Sequence, residues 1–353
     1  MLAYGHDLAR NAVGATMNTR KFRAAPLIAA VTVSMVAGCS AASGGSAGGS
    51  LPSKLESPQV TVAALPAADL AGLYAALSQG LFAQQGLNVT IEKISSSAAV
   101  VAAQLRGQVD IAAGAYVAYI SAQAAGARFR ILAEASTLQP HTRVLVTNAA
   151  SPITTVADLA GKKIGVNGTR SIGTLLISAL LQEDGISPTK VKFVTDKQGF
   201  PAMPGHLQEG DYDAAFLSEP YLTLAEEDYG DQVLADFDQG SLSDLPIDGY
   251  IATQAWVQKH PKTAAAFVRA IEEGQTLANT DGSVVRAALG KYDNLPPWVT
   301  AVMALPQFPT GPVVAKRIQR EAVDMLDFGM LSTQYATEVE RGTLVASMLG
   351  PGS

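Results

Sequence analysis

Residues 163–184 read KIGVNGTRSIGTLLISALLQED, and Gly185 follows. The first four residues have strand character. A polar turn, Asn167-Gly168-Thr169-Arg170-Ser171, comes next. From 171 to 184 apolar positions recur at helical spacing, and Gly185 is the residue type that stops a helix. Strand, polar turn and helix in immediate succession make a βα unit.

The same unit recurs on both sides. Upstream, strands are predicted at 60–64, 87–94, 109–113, 130–135 and 143–147, with helices at 70–85, from Ser97 to Gly107, and at 116–125. Downstream, strands are predicted at 191–195, 213–217, 232–237 and 250–253, with helices at 156–160, 201–209 and 220–228. A helical tail covers 261–279, 283–289, 297–303, 312–328 and 332–349. Such alternation implies an α/β fold with mostly parallel sheets flanked by helices. The second βα set sits between an earlier set and a tail that has to pack somewhere. A domain interrupted by another satisfies this: residues 58–147 with 250–349 form lobe 1, and 148–249 form lobe 2. Two strands cross between the lobes, near 146–151 and 248–251.

The chain has 353 residues, long enough for two domains. Its 48% hydrophobic content suits a globular core, and 25 bases against 31 acids provide no basic surface for nucleic acid. One cysteine forbids an internal disulfide or a Cys-ligated zinc site.

That cysteine lies in RKFRAAPLIAAVTVSMVAGC, residues 20–39. Arg20, Lys21 and Arg23 precede an apolar run, and small residues precede Cys39. This is the order of regions in a secretory signal peptide, and the run is shorter than a membrane-spanning helix needs. Val36-Ala37-Gly38-Cys39 resembles the bacterial lipobox, which implies a lipid on Cys39 and a signal segment 1–38. Met17 is an alternative start, because residues 1–16 add nothing a signal requires. Removing 1–38 takes away four bases and one acid, moving the formal charge from −6 to −9. Residues 39–57 are rich in Gly and Ser and read as a flexible linker. The Gly44-Gly45-Ser46-Ala47-Gly48 match to a nucleophile elbow falls in this linker, without the strand and helix an elbow needs.

Enzyme constellations are scarce. His141, His206 and His260 are isolated in sequence, with no zinc spacing, Walker A or dinucleotide fingerprint. What the chain offers is polar turns at predicted strand ends: Ser95-Ser96-Ser97, Gly114-Ala115-Tyr116 and Asn167 to Ser171. Free N–H groups at the following helix starts favour acceptors, and ligands bind at such strand ends in open α/β sheets. Capping alone also accounts for Ser and Thr there. Asp69, with Tyr74 beyond it, and Ser218-Glu219-Pro220-Tyr221 are two further candidate turns. Asp69 reads either as an N-cap or as a cleft residue, and Glu219, followed by Pro220, either as a solvated charge at a helix start or as a carboxylate with few local partners that points into a cleft with the neighbouring tyrosines.

Five segments, in order, carry a family resemblance: LYAALSQGLFAQQGLNV (73–89), AQLRGQVDIAA (103–113), DLAGKKIGV (158–166), DAAFLSEP (213–220) and WVQKHPKTAAAFVRA (256–270). Together they resemble the ABC-importer solute-binding proteins for nitrate, sulfonate, taurine and thiamine-pyrimidine precursors. The resemblance implies a two-lobed periplasmic-binding-protein type 2 fold with two crossover hinge strands. It implies a monomer that captures a small molecule, needs no cofactor or metal, and delivers its solute to ABC permease and ATPase subunits. The implied location is extracytoplasmic, with the membrane reached only through the lipid anchor.

The ligand contacts implied are Asp69, Tyr74, Ser96, Ser97, Gly114, Tyr116, Asn167, Thr169, Arg170, Ser171, Glu219, Tyr221 and Tyr250. Helix starts with Arg170 or Arg143 suit an anion, whereas Asp69 and Glu219 suit a neutral or cationic N–H donor. An enzyme related to pyrimidine-precursor synthases and a sensor lipoprotein are the alternatives. The enzyme branch carries a Cys-rich motif that this chain lacks.

Overall fold

The computed structural model describes residues 54–292 and 294–349. The expected signal segment, Cys39 and all but the last residues of the linker lie outside these.

The chain begins with β1 (Gln59–Ala64), a short 3-10 turn at Ala68–Leu70, then α1 (Ala71–Ser78) and α2 (Leu81–Gln84). One helix was expected over 70–85. Gly80, at φ +69°, takes the left-handed conformation that ends one helix and starts the other. There follow β2 (Asn88–Lys93), α3 (Ser97–Leu105), β3 (Ile111–Ala115), α4 (Tyr116–Ala124), β4 (Phe129–Thr137) and β5 (Arg143–Thr147). The opening segment of the sequence analysis forms β6 (Lys163–Val166) and α5 (Ile172–Glu183). Next come β7 (Lys192–Thr195), α6 (Met203–Glu209), β8 (Ala214–Ser218), α7 (Tyr221–Tyr229), β9 (Gln232–Asp236) and β10 (Pro246–Thr253). The tail holds α8 (Gln254–Lys259), α9 (Pro261–Thr280), α10 (Gly282–Tyr292), α11 (Pro297–Val302), α12 (Ala315–Asp327), α13 (Ala336–Glu340) and α14 (Thr343–Ala346). The single helix expected over 332–349 is broken, with Gly342 at φ +68° between α13 and α14.

The strands form two five-stranded sheets, β2-β1-β3-β10-β4 and β7-β6-β8-β5-β9. The two orders are equivalent. In each, three parallel βα strands are joined by a fourth that has just arrived from the other sheet. That arriving strand, β10 or β5, pairs antiparallel on both sides. Four strands of each sheet therefore run the same way, as the expected mostly parallel α/β fold requires, and the arriving strand alone runs against them.

The chain leaves the first sheet between Thr137 and Arg143 and returns between Asp236 and Pro246. The expected crossings at 146–151 and 248–251 lie later than these passages. Val146 is inside β5 and Asp248 inside β10, since apolar runs do not reveal which sheet a strand joins. The two passages touch: Leu138 N donates to Leu245 O at 3.0 Å. Each holds a non-glycine residue at positive φ, His141 at 61° and Asp244 at 53°.

Helices cover the sheets. α1 crosses α9 so closely that a Cβ on Gly274 would lie 2.6 Å from Gly72 O and Ala76 Cβ. Here glycine sets the interhelical distance. α12 packs against both α4 and α5, spanning the helix layers of the two sheets.

Candidate functional site

The site grows from two strand pairs that face each other where the sheets meet. In the first sheet Asp248 of β10 lies opposite Ser136 of β4. In the second, Arg143 of β5 lies opposite Ser218 of β8. Asp69, in the turn after β1, comes between them. Its Oδ1 is 2.8 Å from Arg143 Nη2 and accepts from Ser136 Oγ at 3.2 Å, and its Oδ2 accepts from Ser218 Oγ at 3.0 Å. Arg143 Nη2 also donates to Asp248 Oδ2 at 2.9 Å. All five residues are buried. A buried charge needs a partner, and these supply one another.

The electrostatics follow from burial. Burial alone would lower the Arg143 pKa, but the Asp69 and Asp248 carboxylates outweigh it and raise it. Burial raises Asp248 above the usual carboxylate range, with Arg143 opposing.

Glu219 follows Ser218, and its carbonyl accepts from Ala68 N at 3.0 Å, joining the turn before Asp69 to the end of β8. Its carboxylate is buried and not short of partners, contrary to either reading. It accepts from Thr223 N at 3.1 Å, Thr223 Oγ1 at 2.9 Å and Ala304 N at 3.0 Å. Glu219 thus binds the first turn of α7 and pins the segment after α11. Burial pushes its pKa up to about 7.

The other sequence-predicted residues divide into three groups. Ser96 caps α3 by accepting from Ala99 N at 3.3 Å. Ser97 is buried, and its Oγ accepts from Ala115 N at 3.3 Å, fixing the end of β3. Gly114 pairs with Gly249 inside the first sheet.

Of the expected ligand contacts, Tyr74 of α1 packs against α10 and Tyr250 of β10 against α9. Tyr74 stacks on Tyr292 at 5.3 Å between centroids, and Tyr250 sits edge-on to Phe267 at 5.8 Å. Both are fully buried, because a tyrosine ring contributes more apolar surface than its hydroxyl costs. Tyr221 is buried at the start of α7.

Tyr116 opens α4 with its ring against Gly249, where an added Cβ would lie 2.6 Å from the ring. In the turn after β6, Asn167 and Ser171 are buried while Thr169 and Arg170 are exposed. Arg170 Nη2 donates to Met330 O, so the second sheet's turn reaches the C-terminal tail.

Sequence reasoning passed over Ser136, Asp248 and Glu321. The signal was present. Asp248 interrupts the apolar strand PIDGYIAT, and Glu321 lies in the buried stripe of Ile318, Ala322 and Met325 on α12. A charge at a core position calls for a partner or a function.

Comparison with known proteins agrees with this architecture. The pattern of the family described as NMT1/THI5 like matches residues 67–281. The chain is 29% identical over 199 residues to a protein of Escherichia coli (strain K12) named for binding aliphatic sulfonates, a match that takes in 55% of this chain and 59% of that protein's length. Among solved structures, the alkanesulfonate-binding protein SsuA from Xanthomonas axonopodis pv. citri, bound to MOPS, superposes with a TM-score of 0.70 at 18% identity, covering 84% of this chain and 99% of that one. The periplasmic nitrate-binding protein NrtA from Synechocystis PCC 6803 gives 0.68 at 15% identity, covering 84% and 89%. At these identities the likeness is one of fold: the two mixed sheets are those of periplasmic binding proteins. The family match extends over well more than half of the sequence and takes in strands of both sheets, and the chain belongs to the NMT1/THI5-like family.

Proposed function

We propose that this protein is the extracytoplasmic solute-binding component of an ABC importer. It captures a small molecule between two lobes and presents it to a permease. The lobes follow the sheets, so the boundaries drawn at 147/148 and 249/250 move to the passages at 138–142 and 237–245. The lipid on Cys39 and the linker 39–57 tether the body to the membrane surface. The protein acts as a monomer and performs no chemistry on its solute.

One observation carries this reading. Asp69, Ser136 and Asp248 of the first sheet meet Arg143 and Ser218 of the second in a single buried hydrogen-bonded cluster. Among the described residues, the chain passes between the two sheets through short segments at 138–142 and 237–245. This arrangement suits rigid-body opening about a few hinge residues. The family and the fold support it, since the relatives compared above are named for binding sulfonates or nitrate. Small-angle scattering of the protein, alone and saturated with a stabilising solute, tests the reading. Opening and closing predict a change in radius of gyration. An unchanged radius at saturation removes the lobe-closure mechanism.

A further inference from the structure

A hollow of about 450 Å³ opens where both passages run beside the end of β4. Gln139 reaches it from the outgoing passage and Asp244 from the return. Thr137 of β4, Asn279 of α9, Arg317 of α12 and the segment 307–310 form the rest of its wall. The wall is fixed by its own bonds. Thr137 N donates to Gln307 O at 3.1 Å, pairing that segment with β4. The Asn279 carboxamide clamps Phe308, donating to its carbonyl at 2.6 Å and accepting from its N–H at 3.1 Å. A pre-formed hollow of this size is what a small-molecule site requires.

Thr137 is 1% exposed, and its Oγ1 has no hydrogen-bond partner among the described residues. A buried hydroxyl without a partner is destabilising, and a ligand in the hollow that Thr137 lines would supply one. Ser136, next to it on β4, bonds Asp69. Successive strand residues face opposite sides, so the hollow is on the other side of the strand end from the Arg143 cluster.

The charges in the wall are already committed. Arg317 is held by Asp244 at 3.1 Å and by the buried Glu134 at 3.3 Å. A charged ligand would have to compete for these groups and leave a buried acid unbalanced. The remaining groups are neutral and can donate or accept: the hydroxyls of Thr137 and Thr310 and the carboxamides of Gln139 and Gln307, which meet only at 3.4 Å. Gln139 Nε2 also donates to Leu138 O at 2.7 Å, so its Oε1 is the atom on offer. Hydroxyls on adjacent carbons present the matching mixture of donors and acceptors.

We propose that this hollow is a second ligand site, for a small neutral polyhydroxylated molecule of about monosaccharide size, and that its occupant holds the two passages against the body of the first sheet. The site itself stands without the receptor reading. Its consequence, a bias on lobe movement, rests on that reading, because the passages are where the lobes would hinge.

The test is titration calorimetry and amide hydrogen exchange on the full chain, Thr137→Val and Gln307→Ala. Glucose, myo-inositol and glycerol are the neutral probes, and gluconate and protonated glucosamine their charged counterparts. At least one neutral probe is expected to bind the wild type, to slow exchange at 138–142 and 237–245, and to bind each variant about tenfold more weakly. Both variants should keep the wild-type melting temperature, since the Thr137 hydroxyl has no partner to lose and Gln307 is exposed. The inference falls if no neutral probe binds, if a charged counterpart binds as tightly, if both variants bind like the wild type, or if exchange slows elsewhere and not at the passages. Unfolding of both variants would make these groups structural and end it too. Binding with protected passages, but a radius of gyration that no solute changes, keeps the site and removes lobe closure.

Discussion

Arg143 and Asp69 tie the two sheets together through a 2.8 Å contact, with each side chain 4% exposed. Arg143 is the first residue of β5, just past the first passage, and Asp69 is in the turn after β1. Asp248, just past the return passage, shares the same guanidinium nitrogen. Both routes between the sheets therefore end on one buried cation.

Removing that cation alone leaves two buried carboxylates unbalanced. Arg143→Met is expected to cost about 3–5 kcal/mol in urea denaturation. Combining it with Asp69→Asn and Asp248→Asn should recover much of the loss, since no uncompensated charge then remains. Equal losses in the single and triple variants would show that the cluster acts through shape and not through charge.

Glu219 is expected to behave as a structural residue. Glu219→Ala strands the amides of Thr223 and Ala304, and should lower stability by about 1–3 kcal/mol. Melting of the solute-free protein reads this directly. A wild-type melting temperature would show that solvent or another group replaces the carboxylate.

Stability should rise on mild acidification. Glu219 titrates at about 7 in the folded chain against an ordinary 4.5, and Asp231 and Asp324 at about 6 against 3.8, all raised chiefly by burial. A raised carboxyl keeps its proton where the unfolded chain has lost it. Its contribution is complete below the unfolded value and disappears as pH rises through the folded one. His206, raised mainly by its hydrogen bond to Asp196, has the same sign. Glu56, Asp158 and Asp281 are lowered and act only below this window. Thermal melts should therefore show a higher midpoint at about pH 5 than at about pH 8, on either side of the folded values of about 6 and about 7. A flat or falling profile would contradict the burial of these acids.

Cys39→Ser should leave the precursor unprocessed or release the protein from membranes. Fractionation with a lipid label reads it. Continued lipidation and membrane association would discard the lipobox reading.

The sequence determined the βα rhythm. Periodicity, polar turns and glycine stops placed β5 and β6 at their observed bounds and most helices within a few residues, because these signals are local. It also marked Asp69 and the Ser218-Glu219 turn as belonging together, and Ala68 N does reach Glu219 O. What it could not assign was pairing between distant residues. That β5 leaves its sequence neighbours for the second sheet, and β10 returns to the first, depends on hydrogen bonds between strands far apart in the chain. Glu219 looked uncommitted because one of its partners, Ala304, is 85 residues away. Nor could it show that the rings of Tyr74 and Tyr250 meet those of Tyr292 and Phe267. Arg143, Asp69 and Asp248 became a site only when folding brought three separate segments into one desolvated place. There each charge is tolerable because the others are present.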